Sequence, residues 1–341
     1  MRRAAAVRGL LLLLAVAAVA LLPAVISDYR ALELGYVAIY FIAMIGLNVL
    51  TGFAGQISLG HGAFMGIGGY TTATLAANHG VNDLATLPLA GLVAGVVGFL
   101  FGFPALRLAG VYLALATFAL AVALPSLAKK FEGITGGSNG IFLPRIAPSG
   151  DWLYYVSWSV ALIMFTLAWI LVRGRLGRTF RAIRDSEIAA VSSGISLSRY
   201  KTIAFGISAF YAGVAGALLA IPTGAIFPET FPASLSILLL TGVVVGGVGS
   251  LWGMLIGALF VQFIPVYGSD WLRNLLEPLG VDIADTTPGV PAVLYGTILL
   301  AVLLLARSGV AGLVQRAANS LTNRFNLRQL QRHITPSRRE A

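Results

Sequence analysis

Long apolar stretches dominate this chain and constrain what it can fold into. A helix needs roughly 20 apolar residues to cross the hydrocarbon core of a bilayer. The 341-residue sequence is 58% hydrophobic and 11% charged, which excludes a water-soluble globule. We therefore predict an all-α, polytopic bundle of about 10 transmembrane helices. The predicted spans are residues 9–27, 34–51, 57–77, 86–106, 108–128, 152–172, 201–221, 234–249, 251–267 and 289–306.

One apolar stretch, residues 235–266, is too long for a single crossing and contains an interruption. Gly246, Gly247, Gly249 and Ser250 can break it into two short spans, or into a re-entrant hairpin. The glycine run that starts at Gly242 favours close helix crossing, and a hinge is the alternative.

Basic residues lie mostly on one side of the predicted topology. With the N-terminus inside, the outside receives only Arg30, Lys129, Lys130, Arg145 and Arg273. The positive-inside rule therefore predicts cytoplasmic N- and C-termini. The net charge of +10 follows from this topology, and no basic patch interleaved with aromatic residues indicates a nucleic-acid partner.

The two ends of the chain have their own predictions. The basic start and the Leu/Ala run of residues 1–20 also fit a signal peptide, whose removal would leave nine spans. We predict a transmembrane domain over residues 1–308, including an inside loop at about 174–200. A basic cytoplasmic tail is predicted over residues 309–341.

Polar side chains interrupt the segment from Leu47 to Tyr70, LNVLTGFAGQISLGHGAFMGIGGY. Polar, glycine-broken backbone at membrane depth is tolerated where protein or a water-filled path covers it. The predicted path residues are Asn48, Gln56, Ser58 and His61. The alternative is close helix packing through Gly62 and Gly66, and a single intramembrane histidine is as often structural as functional.

The largest inside loop before the tail, residues 174–201, predicts a short amphipathic surface helix. Phe180, Ile183, Ile188 and Val191 share one helical face, and Gly194 is placed to end the helix in a left-handed cap. Ser198 is then placed to cap the next span. The helix could lie on anionic lipid, or it could dock into a groove of another protein through its small residues.

Three segments resemble one family in the same order along the chain. AIRDSEIAAVSSGIS, from Ala182 to Ser196, resembles the cytoplasmic "EAA" coupling loop of ABC importer membrane subunits. The glycine-rich segment above and PETFPASLSILLLTGVVVGGVGSLWGMLIGA, from Pro228 to Ala258, resemble other signatures of branched-chain amino acid permeases, nearest the LivM type. The resemblance implies an ATPase-coupling role for Arg181, Arg184, Asp185, Glu187, Ala189, Ala190 and Gly194.

The family resemblance also implies a type II-like importer of the bacterial inner membrane. Its partners would be a second, LivH-type permease subunit, two LivG/LivF-type cytoplasmic ATPases and a periplasmic or lipid-anchored substrate-binding protein. The expected cargo is branched-chain amino acids, with urea, amides or other amino acids as alternatives. The sequence has no G-x-x-x-x-G-K-[ST] motif, so ATP would be used by the partners and no cofactor is expected on this chain.

Two other classes of protein are weaker interpretations. A secondary transporter would be expected to carry charged coupling groups inside its spans, and Glu33 lies only at the edge of a predicted span. A membrane enzyme would need a catalytic or metal-binding constellation. His61, His79 and His333 lie in different regions, and the chain has no cysteine, so we predict neither a catalytic nor a metal site.

Overall fold

The fold is known from a computed structural model that describes residues 22–105, 108, 110–144 and 149–276, with the single positions 296, 297 and 312. The α-helices of this part are α1 (Asp28–Asn48), α2 (His61–His79), α3 (Asp83–Ala105), α4 (Val111–Lys130), α5 (Glu132–Thr135), α6 (Gly150–Arg173), α7 (Arg175–Asp185), α8 (Glu187–Ser192), α9 (Leu197–Thr223), α10 (Ala233–Gly246) and α11 (Gly253–Leu276). Two short strands, β1 (Ile141–Phe142) and β2 (Ala225–Ile226), pair antiparallel.

The described helices confirm a multi-pass membrane fold. Six segments are long and apolar enough to cross a bilayer, and Gly253–Gly268 is a shorter apolar helix. The six are Asp28–Phe53, Asp83–Phe103, Val111–Lys130, Gly150–Arg173, Leu197–Thr223 and Pro228–Gly246. The predicted spans 9–27 and 289–306 fall almost wholly outside the described residues. The count of ten and the side of the termini therefore stay predictions.

Two helices begin at other residues than the predicted spans. The helix α1 begins at Asp28 rather than at residue 34, so Glu33 lies in its second turn and is buried. The helix α2 begins at His61 rather than at residue 57, because α1 continues as a π-helical turn over Val49–Phe53 and the chain is then irregular. The apolar content of a segment indicates which residues lie in the membrane, but it does not predict where a helix is interrupted.

The centre of the bundle is formed by α1 and α9. Their apolar windows are each 78% buried, against 33% for α3 and α4 and 28% for α6. The helices α3, α4 and α6 therefore turn much apolar surface outward, as lipid-facing helices do.

Small residues let α2 approach α9 closely. A methyl group at Gly68 would overlap the backbone of Gly213, and one at Gly216 would overlap the backbone of Met65. Since lipid supplies no hydrophobic drive between helices, close backbone contact is a main source of their association. The crossing therefore depends on glycine on both helices.

The bundle has two distinguishable ends. At one end, Arg184 of α7 donates from Nη1 to the carbonyl of Gly52, 2.9 Å away, just after α1. At the other, Asp28 at the start of α1 accepts from the backbone nitrogen of Gly150, which begins α6, at 2.8 Å. We call these the Arg184 end and the Asp28 end. The helices α7 and α8 and the turn between α10 and α11 all lie at the Arg184 end. The long helices on either side of them therefore run in opposite directions between the two ends, as the charge pattern predicts.

The single amphipathic helix predicted for residues 174–201 was wrong in detail. It is two helices, α7 and α8, because the extended backbone of Ser186 (φ −162°, ψ 112°) separates them. The Ser186 hydroxyl caps α8 by accepting from the backbone nitrogen of Ala189 at 3.2 Å. The left-handed Gly194 (φ +79°) is confirmed, but the cap residue of α9 is Ser196 and not Ser198.

The break at Ser186 also changes which side chains share a face. Phe180 and Ile183 of α7 are 0% and 2% exposed. Ile188 and Val191 of α8 are 83% and 55% exposed. The predicted common apolar face was therefore wrong, because the two helices have different axes.

Candidate functional site

The most unusual backbone lies between α1 and α2. Residues Val49–Phe53 form a π-helical turn, and no regular structure follows until His61. We call residues 49–60 the α1 break. Gly55 adopts a φ of +71°, a conformation that favours glycine, and π-helical turns occur frequently at functional sites. The turn between α10 and α11, the helix α7 and the helix α9 all contact this part of the chain.

Asn48, the last residue of α1 before the break, joins this end of α1 to the turn between α10 and α11. Its Oδ1 accepts from the backbone nitrogen of Gly249 at 2.8 Å, and its Nδ2 donates to the carbonyl of Ser250 at 3.1 Å. Asn48 is 0% exposed. A methyl group at Gly52 would overlap both Asn48 Oδ1 and the Gly249 nitrogen. The two segments are therefore held together by one amide that satisfies a donor and an acceptor of the turn.

Arg184 attaches α7 to the same place. Besides its bond to the Gly52 carbonyl, its Nε and Nη2 donate to Asp185 Oδ1 at 3.0 and 2.9 Å. The planar guanidinium thus bridges a carboxylate and a backbone carbonyl, which a lysine ammonium does with much less geometric definition. A methyl group at Gly55 would lie 2.8 Å from Arg184 Cγ, so α7 sits directly against the break.

A second connection runs from α8 through α9. Lys201 Nζ donates to Glu187 Oε1 at 2.7 Å. The carbonyl of the same Lys201 accepts from Gln56 Nε2 at 3.4 Å, and the Gln56 carbonyl accepts from Thr51 Oγ1 at 3.1 Å. The helix α7 therefore contacts the α1 break directly through Arg184, whereas α8 is connected to it indirectly, through Lys201 of α9.

The other predicted path residues are enclosed by protein. Ser58 and His61 are each 1% exposed. The Ser58 hydroxyl accepts from the backbone nitrogen of Gly60 at 3.3 Å. His61 Nε2 lies 2.7 Å from the Ala43 carbonyl, which only accepts, so Nε2 carries the proton. With Asn48 and Gln56, these side chains bond backbone groups, and their contact with substrate stays a prediction.

The predicted packing glycines lie at close helix contacts. Ser236 Oγ accepts from the backbone nitrogen of Gly62 at 2.9 Å, and Gly66 faces Leu124 and Phe231. Gly242 faces Met44 and Val261. A methyl group at Gly246 would overlap the Gly253 carbonyl, whereas Gly247 and Gly249 have φ values of +110° and +83°. The predicted break at these glycines is confirmed, and it forms the turn between α10 and α11.

The remaining predicted coupling residues lie on or beside α8. Ala189 is exposed and Ala190 is 2% exposed, so the small-residue patch is only partly at the surface. Arg181 on α7 is half-buried. The apolar side chains of the segment with the highest exposed fractions are Ile188 and then Val191. We call these two side chains the α8 face.

Sequence reasoning missed Lys201 and Ser186 as site residues. Lys201 was only one more basic residue near a span end. The signal for Ser186 was present, since Ser-x-x-Ala before a short apolar run places a side-chain acceptor three residues ahead of an unpaired helical nitrogen. The acid Glu187 at the first position of α8 also favours a helix start there.

Together these observations define a multi-pass helical membrane protein with a basic, helical segment that lies across one end of the bundle and contacts a break in a central helix. Residues 31–306 match the family described as branched-chain amino acid transport system / permease component, and the chain belongs to this family. The predicted family resemblance is confirmed.

Relatives with assigned names agree with the family. The chain is 37% identical over 253 residues to the high-affinity branched-chain amino acid transport system permease protein LivM of Escherichia coli K12. That match covers 65% of this chain and 60% of the relative, so it spans less than two thirds of the relative's length. A probable LivM of Methanocaldococcus jannaschii is 27% identical over 325 residues, covering 83% and 93%. The Escherichia coli LivH protein is 27% identical over 259 residues, covering 69% and 83%. No solved structure matches the chain.

Proposed function

We propose that this chain is a permease subunit of an ATP-binding cassette importer for branched-chain amino acids. The single observation that carries the proposal is the connection of the α7–α8 segment to the α1 break, directly through Arg184 to the Gly52 carbonyl and indirectly from Glu187 through Lys201 of α9 to Gln56. A force applied to this segment from outside the chain would be passed to a central helix. That is the arrangement an externally driven transporter needs.

The α8 face supports a protein partner at this end. Ile188 is 83% exposed, so an apolar side chain lies at the surface of the chain beside charged residues. A helix that lay on lipid would bury such a side chain in the bilayer and keep its charges in water. A face of this kind also fits a groove in another protein. We propose that the occupant is the ATPase partner, whose closure would rock the helices between inward-open and outward-open states.

Charge supports the orientation. Every described basic residue between α6 and α9 lies at the Arg184 end, and these are Arg173, Arg175, Arg178, Arg181, Arg184, Arg199 and Lys201. The positive-inside rule places this end in the cytoplasm. We therefore propose a multi-pass protein of the bacterial cytoplasmic membrane with both termini cytoplasmic and with the Asp28 end facing outward.

The names of the relatives support the cargo and the partners. LivM and LivH are both named as permeases for branched-chain amino acids, and both match this chain. We propose that the chain forms a path with a LivH-type subunit, above LivG/LivF-type ATPases and below a substrate-binding protein. The higher identity to LivM supports the LivM position for this chain. It would be a transport component rather than an enzyme.

The proposal is tested by placing a charge on the α8 face. Full burial of an isoleucine side chain is worth about 1.5–3 kcal/mol, and each 1.4 kcal/mol is a factor of ten in affinity. Ile188→Asp should therefore weaken co-purification of the ATPases at least about tenfold. Ile188→Leu keeps an apolar side chain and should bind normally. Ser198→Asp adds the same charge at an exposed site off α8 and should also bind normally.

Transport completes the test. Proteoliposomes with the whole importer should take up L-leucine only with ATP, with the binding protein and with active ATPase partners. Normal ATPase binding by Ile188→Asp would remove the docking argument. Uptake driven by an ion gradient with catalytically dead ATPases would replace the importer by a secondary transporter.

A further inference from the structure

A cavity lies at the Asp28 end, between the start of α1 and the middle of α11. Its volume is about 440 Å³, within the range of small-molecule sites. It is lined by Ile26, Arg30, Glu33, Leu34, Phe263 and Tyr267, and we call it the Glu33 cavity. It lies almost the whole length of α1, 21 residues, away from the α1 break. It therefore belongs to neither the α8 face nor the break.

Among the residues that line this cavity, Glu33 indicates most about the charge of a ligand. Its residue exposure is 6%, and its Oε1 accepts from the Tyr267 hydroxyl at 2.6 Å. Among the described residues no lysine or arginine forms a salt bridge with it. A buried carboxylate is costly unless a cation or several donors compensate it, and one hydroxyl leaves most of its acceptor capacity unused. The cavity thus presents a carboxylate that is suited to a cationic ligand group.

Arg30 supplies the opposite charge one turn earlier. Residues three apart on a helix are neighbours on its surface, so Arg30 and Glu33 line the same cavity from the same face of α1. Arg30 is exposed, and its guanidinium forms no salt bridge within the described part of the chain. A guanidinium binds a carboxylate in a planar, two-bond geometry. One wall therefore offers both an acceptor for an ammonium group and a donor for a carboxylate.

The rest of the cavity is apolar. Ile26, Leu34 and Phe263 contribute hydrocarbon surface beside the two charges. A ligand that uses all of these surfaces has a cationic group, an anionic group and an apolar chain. Free apolar α-amino acids have this combination. A urea or a simple amide lacks both charges and would leave Glu33 uncompensated.

We propose that the Glu33 cavity is a binding site for the transported amino acid as it enters from the outer face. The ammonium group lies on Glu33, the carboxylate on Arg30 and the side chain against Leu34 and Phe263. This inference rests on the proposed function for its cargo, and it adds a site of entry to it. It also selects zwitterionic apolar amino acids over amides for this chain.

Thiol protection tests the site directly, because the chain has no cysteine of its own. Leu34→Cys places one thiol of this subunit in the cavity, and Ile26→Cys is a second position if the first variant assembles poorly. In the complete importer, L-leucine should slow alkylation of this thiol by N-ethylmaleimide. The control is Phe131→Cys, an exposed position at the same end, whose labelling leucine should leave unchanged.

The charges are tested on the same thiol variant. Isopentylamine and 4-methylpentanoate each keep the apolar chain and one charge of leucine, and each should protect more weakly than leucine. Glu33→Gln or Arg30→Gln should raise the leucine concentration for half-protection about tenfold or more, because bonds to charged groups are among the stronger hydrogen bonds. Glu132→Gln removes an exposed carboxylate at the same end and should change nothing.

Three outcomes separate this inference from the proposed function. Protection by leucine that Glu33→Gln and Arg30→Gln abolish, with normal assembly, supports the site. Equal protection in Glu33→Gln, or none in the Leu34→Cys variant that keeps Glu33 and Arg30, overturns it even if ATP-driven uptake of leucine is intact. Charge-dependent protection in an importer that takes up no leucine would keep the site and overturn the proposed cargo.

Discussion

Replacing Asn48 by leucine should remove the two hydrogen bonds that hold the turn between α10 and α11 against the end of α1. The change is close to isosteric and removes only the amide. It leaves the Gly249 nitrogen and the Ser250 carbonyl, which Asn48 bonds at 2.8 and 3.1 Å, without these partners. Each buried polar group left unpaired costs about 1–3 kcal/mol. Asn48 is 0% exposed, whereas Gly249 and Ser250 are half-buried, so we expect Asn48→Leu to lower the free energy of unfolding by about 2–4 kcal/mol.

The measurement is equilibrium unfolding of the purified subunit in mixed detergent micelles, followed by tryptophan fluorescence. Asn139→Leu removes an amide at an exposed position and should change the free energy of unfolding by about 0.5 kcal/mol or less. A loss below about 1 kcal/mol for Asn48→Leu would refute the reasoning, because it would mean that water or the backbone replaces both bonds at no cost.

The remaining predictions concern packing and the enclosed histidine. Gly68→Ala should force α2 away from the Gly213 backbone and lower the free energy of unfolding of the subunit by about 1–3 kcal/mol, measured by the same equilibrium unfolding experiment. Gly247→Leu should lower both assembly and transport, because its φ of +110° is strained for any side chain; normal complex yield with lost transport would instead favour a hinge. His61→Phe removes the bond to the Ala43 carbonyl and should cost about 1 kcal/mol of stability, with normal leucine uptake per assembled complex. A selective loss of uptake would assign His61 to the path.

The positions of the six long apolar segments and of the glycine turns could be predicted from the sequence. A segment in lipid must satisfy its own backbone hydrogen bonds, so an apolar run of sufficient length is a helix wherever it packs. Local chemistry likewise predicted the turn at Gly247 and Gly249 and the left-handed Gly194, all of which have positive φ. The three signature segments, in their order along the chain, were enough to indicate the family as well.

Tertiary structure alone decided which of these elements meet. Asn48 and Gly249 are 201 positions apart, Arg184 and Gly52 are 132 apart, and Glu33 and Tyr267 are 234 apart. No periodicity encodes such pairs, because hydropathy describes the environment of a residue and not the identity of its neighbour. Glu33 shows the difference most clearly. In the sequence it is an acid at the edge of an apolar run, and only the packing of α11 against α1 makes it a buried carboxylate that lines a cavity with Arg30.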